Sequence, residues 1–331
     1  MVKGRTGQEI LDLARLYQPA CVLTAAAVLD VFGPLHAKPM PAKALAGKLG
    51  TDPRATAILL DALAALKFLA KKGEQYTVPD DVAGLLTEQS AQNVLPMLRH
   101  MANALRRWAE LPKIVQTGKC PDIAPSVRGA EADMEAFIGG MDNISRPVAA
   151  GVMDKIEPFK FHHMLDIGGG PGTWTIAFLR ASDKARATLF DLPAVIPIAK
   201  RRFTEAGLTG RVNLVGGDYN ADALPEGADL AWLGAICHQN SRRQNQDLFA
   251  RTHAALSDGG VIVIRDVIMD RSRTNPPAGA LFAINMLVAT EAGGTYTFDE
   301  YREDLIAAGF DEVTLVHQDE FMSSLIRARK T

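Results

Sequence analysis

Hydrophobic and polar positions follow two different rhythms along this chain. Up to about residue 105 the spacing is helical, with one small hairpin. "MPAKALAGKLG" predicts a helix with Pro41 in its first turn and Gly50 at its end. "TDPRATAILLDALAALKFL" predicts a second helix, with Thr51 or Asp52 capping it ahead of Pro53. "FLAKKGEQYTV" then reads as strand, turn at Lys72-Gly73, strand. Helix, turn, helix, hairpin is the order of a winged helix. From Ser90 to Phe159 the spacing is helical again, broken at "TGKCPDIAPS". These helices carry Met97, Met101, Trp108, Phe137 and Met141 and are expected to link the two parts of the chain. Met and aromatic side chains at that spacing build cores more often than pockets; Met141 is kept as a candidate for lining an acceptor pocket.

From His163 onward short apolar runs alternate with helices. "HMLDIGG" precedes "WTIAFLRA", and "ATLFDL" precedes "VIPIAKRRFTEAG". "VNLVGGD" and "ADLAWLGAI" come next, then "NQDLFARTHAAL" and "GGVIVIRDVI". Such alternation predicts an α/β fold with a doubly wound parallel sheet. The end departs from it: after the helix "DEYREDLIAAGF", the runs "DEVTLVHQ" and "MSSLIRARK" read as an antiparallel hairpin at the sheet edge, making seven strands. The expected organisation is a mainly helical, winged-helix-like domain over residues 1–105, and linker helices plus the α/β domain over 106–331.

Composition narrows the function. The chain has 331 residues, 47% hydrophobic and 22% charged, enough for two cores. A net charge of −2 gives no positive excess for nucleic acid or an acidic membrane. Between Pro53 and Leu69 the only cations are Arg54 and Lys67, among Ala and Leu. A groove-reading helix needs side chains that reach bases and phosphates. The first domain is therefore expected to pack or dimerise, making the protein a homodimer. A DNA-binding regulator that uses the α/β domain as a sensor is the alternative from another class. Cys21, Cys120 and Cys237 are odd in number and lack CxxC spacing, which argues against a disulfide framework or a zinc site. "MVKGRTGQEI" does not read as a secretory signal, and the apolar run Cys21–Leu29, stopped by Asp30, is too short to span a bilayer. The expectation is a soluble cytoplasmic protein with no metal, nucleic acid or membrane partner.

The chemistry concentrates at the strand ends. "MLDIGGGPGTW" sets Asp166, Gly168, Gly170 and Gly172 after a strand and before a helix, where glycine lets the backbone turn and approach a ligand. A dinucleotide fingerprint needs glycine at position 173, which is Thr173. Asp166 suits a cationic or hydrogen-bond-donating ligand better than a pyrophosphate. Asp191 ends the next strand, where a carboxylate accepts hydrogen bonds from ribose. Asp218, with Tyr219 beside it, ends the third. The set points to a nucleoside with a positive, phosphate-free tail, and S-adenosylmethionine fits that description.

With "DIGGGPG", "FDLP", "GGDY", "ICH", the strand end at Asp266 and "GGTYTFDEYREDLIAAGF", the chain resembles the class I S-adenosylmethionine-dependent methyltransferases. It is most similar to the small-molecule O-methyltransferases with an N-terminal winged-helix dimerisation domain, of the plant phenolic and antibiotic-tailoring type. The resemblance runs from about Leu11 to Arg329. It implies that Gly168 and Gly170 border the methionine moiety and that Asp191 holds the ribose. It also sets Leu192 against the adenine, Asp218 on its amino group and Tyr219 on its ring. Asn285 and Met286, in the apolar helix "ALFAINMLVATEAGG", would face the acceptor. Three positions depart from the family pattern. Gly234 stands where plant members have a cofactor-contacting lysine, Thr295 where a second glutamate is common, and Gln239-Asn240 where Asp-Trp usually follows the histidine.

That histidine is His238, in "GAICHQNS". It ends the fourth strand, beside the glycine loop, where doubly wound sheets bind ligands. A hydroxyl acceptor must lose a proton as it is methylated. A phenol ionises near ~10 and imidazole near ~6.5, so neutral imidazole can take the proton in the course of transfer. The family's orienting glutamate corresponds here to Asp266, one methylene shorter. On an extended segment Cys237 would point away from His238, into the core. The expected activity is O-methylation of a small aromatic or polyketide-like molecule, with His238 as base and Asp266 orienting it. C- or N-methylation on the same scaffold is the alternative within chemistry.

Overall fold

The computed structural model describes residues 4–156 and 160–331. The chain divides into two compact units. The first holds the described residues up to Arg107 together with Ile123–Asn143; the second holds Trp108–Asp122 and the described residues from Ile144 on. The chain thus passes between them three times. In the helical stretch expected from Ser90 to Phe159, residues 157–159 lie outside the described residues.

In the first unit, the helix Ala42–Leu49 ends at Gly50, which adopts φ +67°. Pro41 is not in its first turn: it is the extended cap residue and lies in a two-residue strand, Met40–Pro41. That strand pairs with Gln75–Thr77, adding a third member to the expected hairpin with Ala70–Lys72. Asp52 caps the helix Pro53–Ala65 by accepting from the Ala55 N–H at 2.7 Å. This helix stops before Lys67, whose φ of +65° breaks the run that the apolar spacing carried to Leu69. It buries Thr56, Leu60 and Leu63. The first helix, Gly7–Ala14, buries none of its residues, and Ile10, Leu11, Leu13, Leu16 and Tyr17 are each more than half exposed. Met141 belongs to this unit, half-buried in the helix Ala130–Ser145.

The second unit is built on seven strands: β1 (His163–Ile167), β2 (Arg186–Asp191), β3 (Val212–Gly216), β4 (Ala228–Gly234), β5 (Leu256–Asp266), β6 (Phe310–His317) and β7 (Ser324–Lys330). Their order is β6-β7-β5-β4-β1-β2-β3. Strands β1 to β5 run parallel, and the last two form the antiparallel hairpin expected at the edge. The chain leaves β1 in one direction for β2 and β3 and returns on its other side as β4 and β5. The crevice at this reversal is where open α/β sheets take ligands. Helices α1 (Ala149–Ile156), α2 (Thr173–Ala181) and α3 (Ile196–Glu205) belong to one half of the unit. Helices α4 (Arg242–Ala255), α5 (Pro277–Ala289) and α6 (Phe298–Ala307) follow β4 and β5.

Alternation along the strands creates two cores. Met164, Trp232, Val261 and Val263 face one, with Phe178 and Phe203 from the helices; Leu165, Ile167, Leu233, Ile262 and Ile264 face the other, with Phe249 and Leu305. A short parallel pair, Ile268–Met269 with Tyr296–Thr297, lies outside the expected elements. No helix among the described residues is long and apolar enough to cross a membrane.

Candidate active site

The loop after β1 needs its glycines. Gly168, Gly170 and Gly172 have φ of +68°, +55° and +79°, values that a side chain disfavours. A Cβ on Gly168 would fall 2.4 Å from Ile236 Cδ1 and 3.6 Å from Tyr219 Cε1. One on Gly172 would fall 2.4 Å from Phe203 Cζ. At Gly170 a Cβ would meet nothing within 4 Å. The loop is thus floored by Ile236, flanked by Tyr219, locked to α3 through Phe203, and open at Gly170.

Asp191 ties the loop to the end of β2. Its Oδ2 accepts from the Gly170 N–H and its Oδ1 from the Leu192 N–H, both at 2.7 Å. Each oxygen keeps a lone pair for a ligand hydroxyl. Leu192, beside it, is 51% exposed. Asp218 is half-buried; its Oδ1 accepts from the Asn220 N–H at 2.8 Å, and its own N–H donates to Asp222. Burial pushes the Tyr219 phenol well up, with help from Asp191 and Asp218, so it stays neutral. Asp166 lies under the loop, on the same face of β1 as Met164, and takes a hydrogen bond from Thr175 Oγ1 at 2.5 Å. Burial pushes its carboxyl up to about 7, and the nearby charge of Asp191 adds to this.

The histidine segment is not extended. Ala235 turns the chain with φ +64°, and Cys237–Gln239 form one 3-10 turn. Cys237 still faces the core, fully buried, and burial raises its thiol. His238 sits over the end of β5. Its Nδ1 is 2.7 Å from Asp266 Oδ1, and its backbone N–H donates to Asp266 Oδ2 at 3.1 Å. The Val267 N–H adds a third bond to Oδ1 at 2.8 Å. Asp266 therefore grips both the ring and the backbone of one histidine, which makes its shorter side chain sufficient. With Nδ1–H donating to the carboxylate, Nε2 carries the free lone pair.

Gln239 and Asn240, two of the residues that depart from the family pattern, help to hold this turn. Asn240 Nδ2 donates to Asn245 Oδ1 at 3.1 Å, and Asn245 Nδ2 donates to the Cys237 carbonyl at 2.9 Å. The Gly294 N–H donates to the His238 carbonyl at 2.9 Å. Thr295, next in sequence, is buried, and its carbonyl accepts from Arg273.

Phe282 and Phe321 escaped the sequence reading. The Phe282 ring stands edge-to-face with His238, centroids 4.8 Å apart, and Phe321 packs on Phe282 at 5.7 Å. Phe282 lies one turn before Asn285 and Met286 on α5, a spacing that could have found it. Phe321 sits in the β6–β7 connection and had no such signal. Met286 is buried, and Asn285 Oδ1 accepts from the Trp108 indole N–H at 3.1 Å, so its carbonyl is already engaged.

A family model described as an O-methyltransferase domain matches residues 124–311, and one described as an O-methyltransferase dimerisation domain matches residues 11–88. This chain belongs to the O-methyltransferase family. Among its relatives, the tetracenomycin polyketide synthesis 8-O-methyl transferase TcmO of Streptomyces glaucescens is 31% identical, over 92% of this chain and 91% of the relative. The 3-hydroxy-5-methyl-1-naphthoate 3-O-methyltransferase of Streptomyces sahachiroi is 30% identical, over 93% and 90%. The crystal structure of human N-acetylserotonin methyltransferase in complex with SAM superposes with a TM-score of 0.82 at 26% identity, over 100% of this chain and 99% of that one. The O-methyltransferase sheet with its closing hairpin is the fold expected from the sequence, and the family assignment favours an enzyme over a DNA-binding regulator.

Proposed function

We propose that this O-methyltransferase takes its methyl group from S-adenosylmethionine and delivers it to a hydroxyl of a small aromatic, polyketide-like molecule, with His238 as the base. The observation that carries the reading is the buried His238–Asp266 pair at 2.7 Å, beside the open glycine loop. The residues present fit the cofactor. Gly170 leaves open space, Asp191 keeps acceptor capacity for ribose hydroxyls, and Leu192 offers an exposed apolar side chain for the adenine. Asp218 and Tyr219 continue that edge towards the purine. Bound there, the cofactor supplies an electrophilic methyl group on a sulfonium sulfur.

His238 Nε2 would accept the proton that the acceptor hydroxyl gives up during the transfer. Asp266 fixes the tautomer and stabilises the imidazolium that forms. Phe282 gives a flat acceptor an apolar wall beside the base, and Met286 and the amide N–H groups of Asn285, on the same helix, are assigned to acceptor contacts. The test is a methyl-transfer screen with labelled cofactor against phenols, catechols and polyketides, alongside calorimetry with S-adenosylhomocysteine and NAD. Methylated product and preferential binding of the nucleoside are expected; equal or tighter NAD binding would overturn the reading.

Asp166 gives cofactor binding a pH dependence. Burial pushes its carboxyl up to about 7. An ammonium or sulfonium group brought close favours the carboxylate and lowers that value on binding. Affinity for S-adenosylhomocysteine should therefore rise with pH up to about 7 and level off above it, with a fraction of a proton released near pH 6.5. Calorimetry in buffers of different ionisation enthalpy reads the release. Asp166→Asn should abolish it; a release that persists in that variant assigns the proton elsewhere.

The same reading makes residues 1–105 the dimerisation domain of a cytoplasmic homodimer. The exposed apolar side chains of the Gly7–Ala14 helix and the residues after it need a cover, and the three free cysteines suit a reducing compartment. Light scattering after size exclusion should give twice the 35.6 kDa chain mass; a monomer at micromolar concentration would remove the dimerisation role.

A further inference from the structure

One charged side chain in the second unit lies in a core without an acid to balance it. Arg265, in the apolar run of β5, is 3% exposed. Its neighbours Ile264 and Asp266 point to the opposite face, while Arg265 shares its face with Val261 and Val263. The guanidinium carbon lies 4.6 Å over the Trp174 ring, and Nη2 is 3.5 Å from Ser323 Oγ. Nε has no hydrogen-bond partner, and no acid among the described residues forms an ion pair with the side chain. The charges nearby are committed elsewhere: Asp266 to His238 and Val267, and Asp319 to the N–H groups of Phe321 and Ser323. Burial holds the guanidinium down, at about 10, against the pull of both acids. An uncompensated buried cation is costly, and such groups persist where an anion arrives to pair with them.

A second orphan stands beside it. Trp232 on β4 is fully buried, and its indole N–H has no partner. Gly234, two residues on, is the register partner of Arg265. A Cβ on Gly234 would fall 2.5 Å from Trp232 Nε1 and 3.3 Å from Trp174 Cδ1. Two unsatisfied donors, one of them cationic, thus flank the same small residue at the carboxyl end of β4. On the neighbouring strand the register partner of Trp232 is Asp166, whose carboxyl faces the same side of the sheet. One face therefore presents an acid on β1 and a cation on β5, on either side of β4. That is the charge pattern complementary to an amino-acid zwitterion.

We infer that Arg265, with the indole N–H of Trp232, holds a carboxylate, that of the amino-acid tail of the cofactor, while Asp166 faces the ammonium group. This rests on S-adenosylmethionine being the cofactor. The chemistry recognised is a carboxylate, which an acceptor could also bring; the position one strand from the glycine loop favours the cofactor.

The test uses the full-length protein and calorimetry with two ligands: S-adenosylhomocysteine and its decarboxylated counterpart, which lacks only the carboxylate. Arg265→Met should weaken the first by about ten- to a hundredfold, as expected for a charge-assisted hydrogen bond, and change the second less than twofold. Trp232→Phe should show the same selectivity with a smaller loss. Arg265→Lys should recover part of the affinity, and it remains measurable if the methionine variant folds poorly. Equal losses for both ligands would mean that Arg265 only packs, and would overturn the inference; so would no loss for either. Losses seen only for a carboxylated naphthol bound to the S-adenosylhomocysteine complex would assign the carboxylate to the acceptor and overturn the cofactor assignment. If the wild-type protein binds neither nucleoside, the cofactor reading itself falls, and this assignment with it.

Discussion

Replacing His238 with glutamine should lower turnover on a phenolic acceptor by about two to four decades, the usual size of a general-base contribution. Affinity for S-adenosylhomocysteine should stay close to that of the wild type, because the imidazole serves the acceptor and not the nucleoside. Glutamine can keep a hydrogen bond to Asp266 Oδ1, which now lies 2.7 Å from Nδ1, so the turn should persist while the basic nitrogen is lost. Asp266→Asn should cost less turnover but more stability. The asparagine amide presents an N–H group where the carboxylate accepted bonds from the His238 ring, the His238 backbone and Val267. A His238→Gln enzyme with near wild-type turnover on its own acceptor would end the general-base role. His238 would then only position the acceptor, whose hydroxyl would have to ionise without help.

Much of this site could be read before the fold was known, because its parts sit where strands end. Apolar runs such as 163–167 and 186–191 stop at a glycine loop or an acid, and sheet topology then brings those ends together. Gly50 and Asp52 marked a helix end and a cap for equally local reasons. What escaped depended on contacts distant in sequence or on unusual backbone. The turn carrying His238 rests on a left-handed alanine, Ala235, which no residue preference announces. Phe321 reaches Phe282 only because the closing hairpin folds back beside β5. Arg265 closes an apolar run one residue before Asp266, and its burial over Trp174 is visible only once α2 covers the sheet.

Two glycines of the same loop should fail in different ways when replaced by alanine. Gly172→Ala should lower stability by about 2–5 kcal/mol. Its φ of +79° costs a side chain about 1–2 kcal/mol. Its Cβ, 2.4 Å from Phe203 Cζ, overpacks a core at a further ~1–3 kcal/mol. Phe203 is almost completely buried and has little room to move aside. In urea the midpoint should fall while the slope holds, the sign of a change in stability alone. Gly170→Ala pays only for its φ of +55°, about 1–2 kcal/mol, since its Cβ meets no atom within 4 Å. The space its methyl enters is the space assigned to the cofactor. Gly170→Ala should therefore be the more stable variant and the weaker binder of S-adenosylhomocysteine, a reversed ranking that general damage to the loop would not produce. Undiminished binding by Gly170→Ala would show that the open side of the loop is not the nucleoside cradle. The ligand would then have to be sought against Asp191 and Leu192 alone.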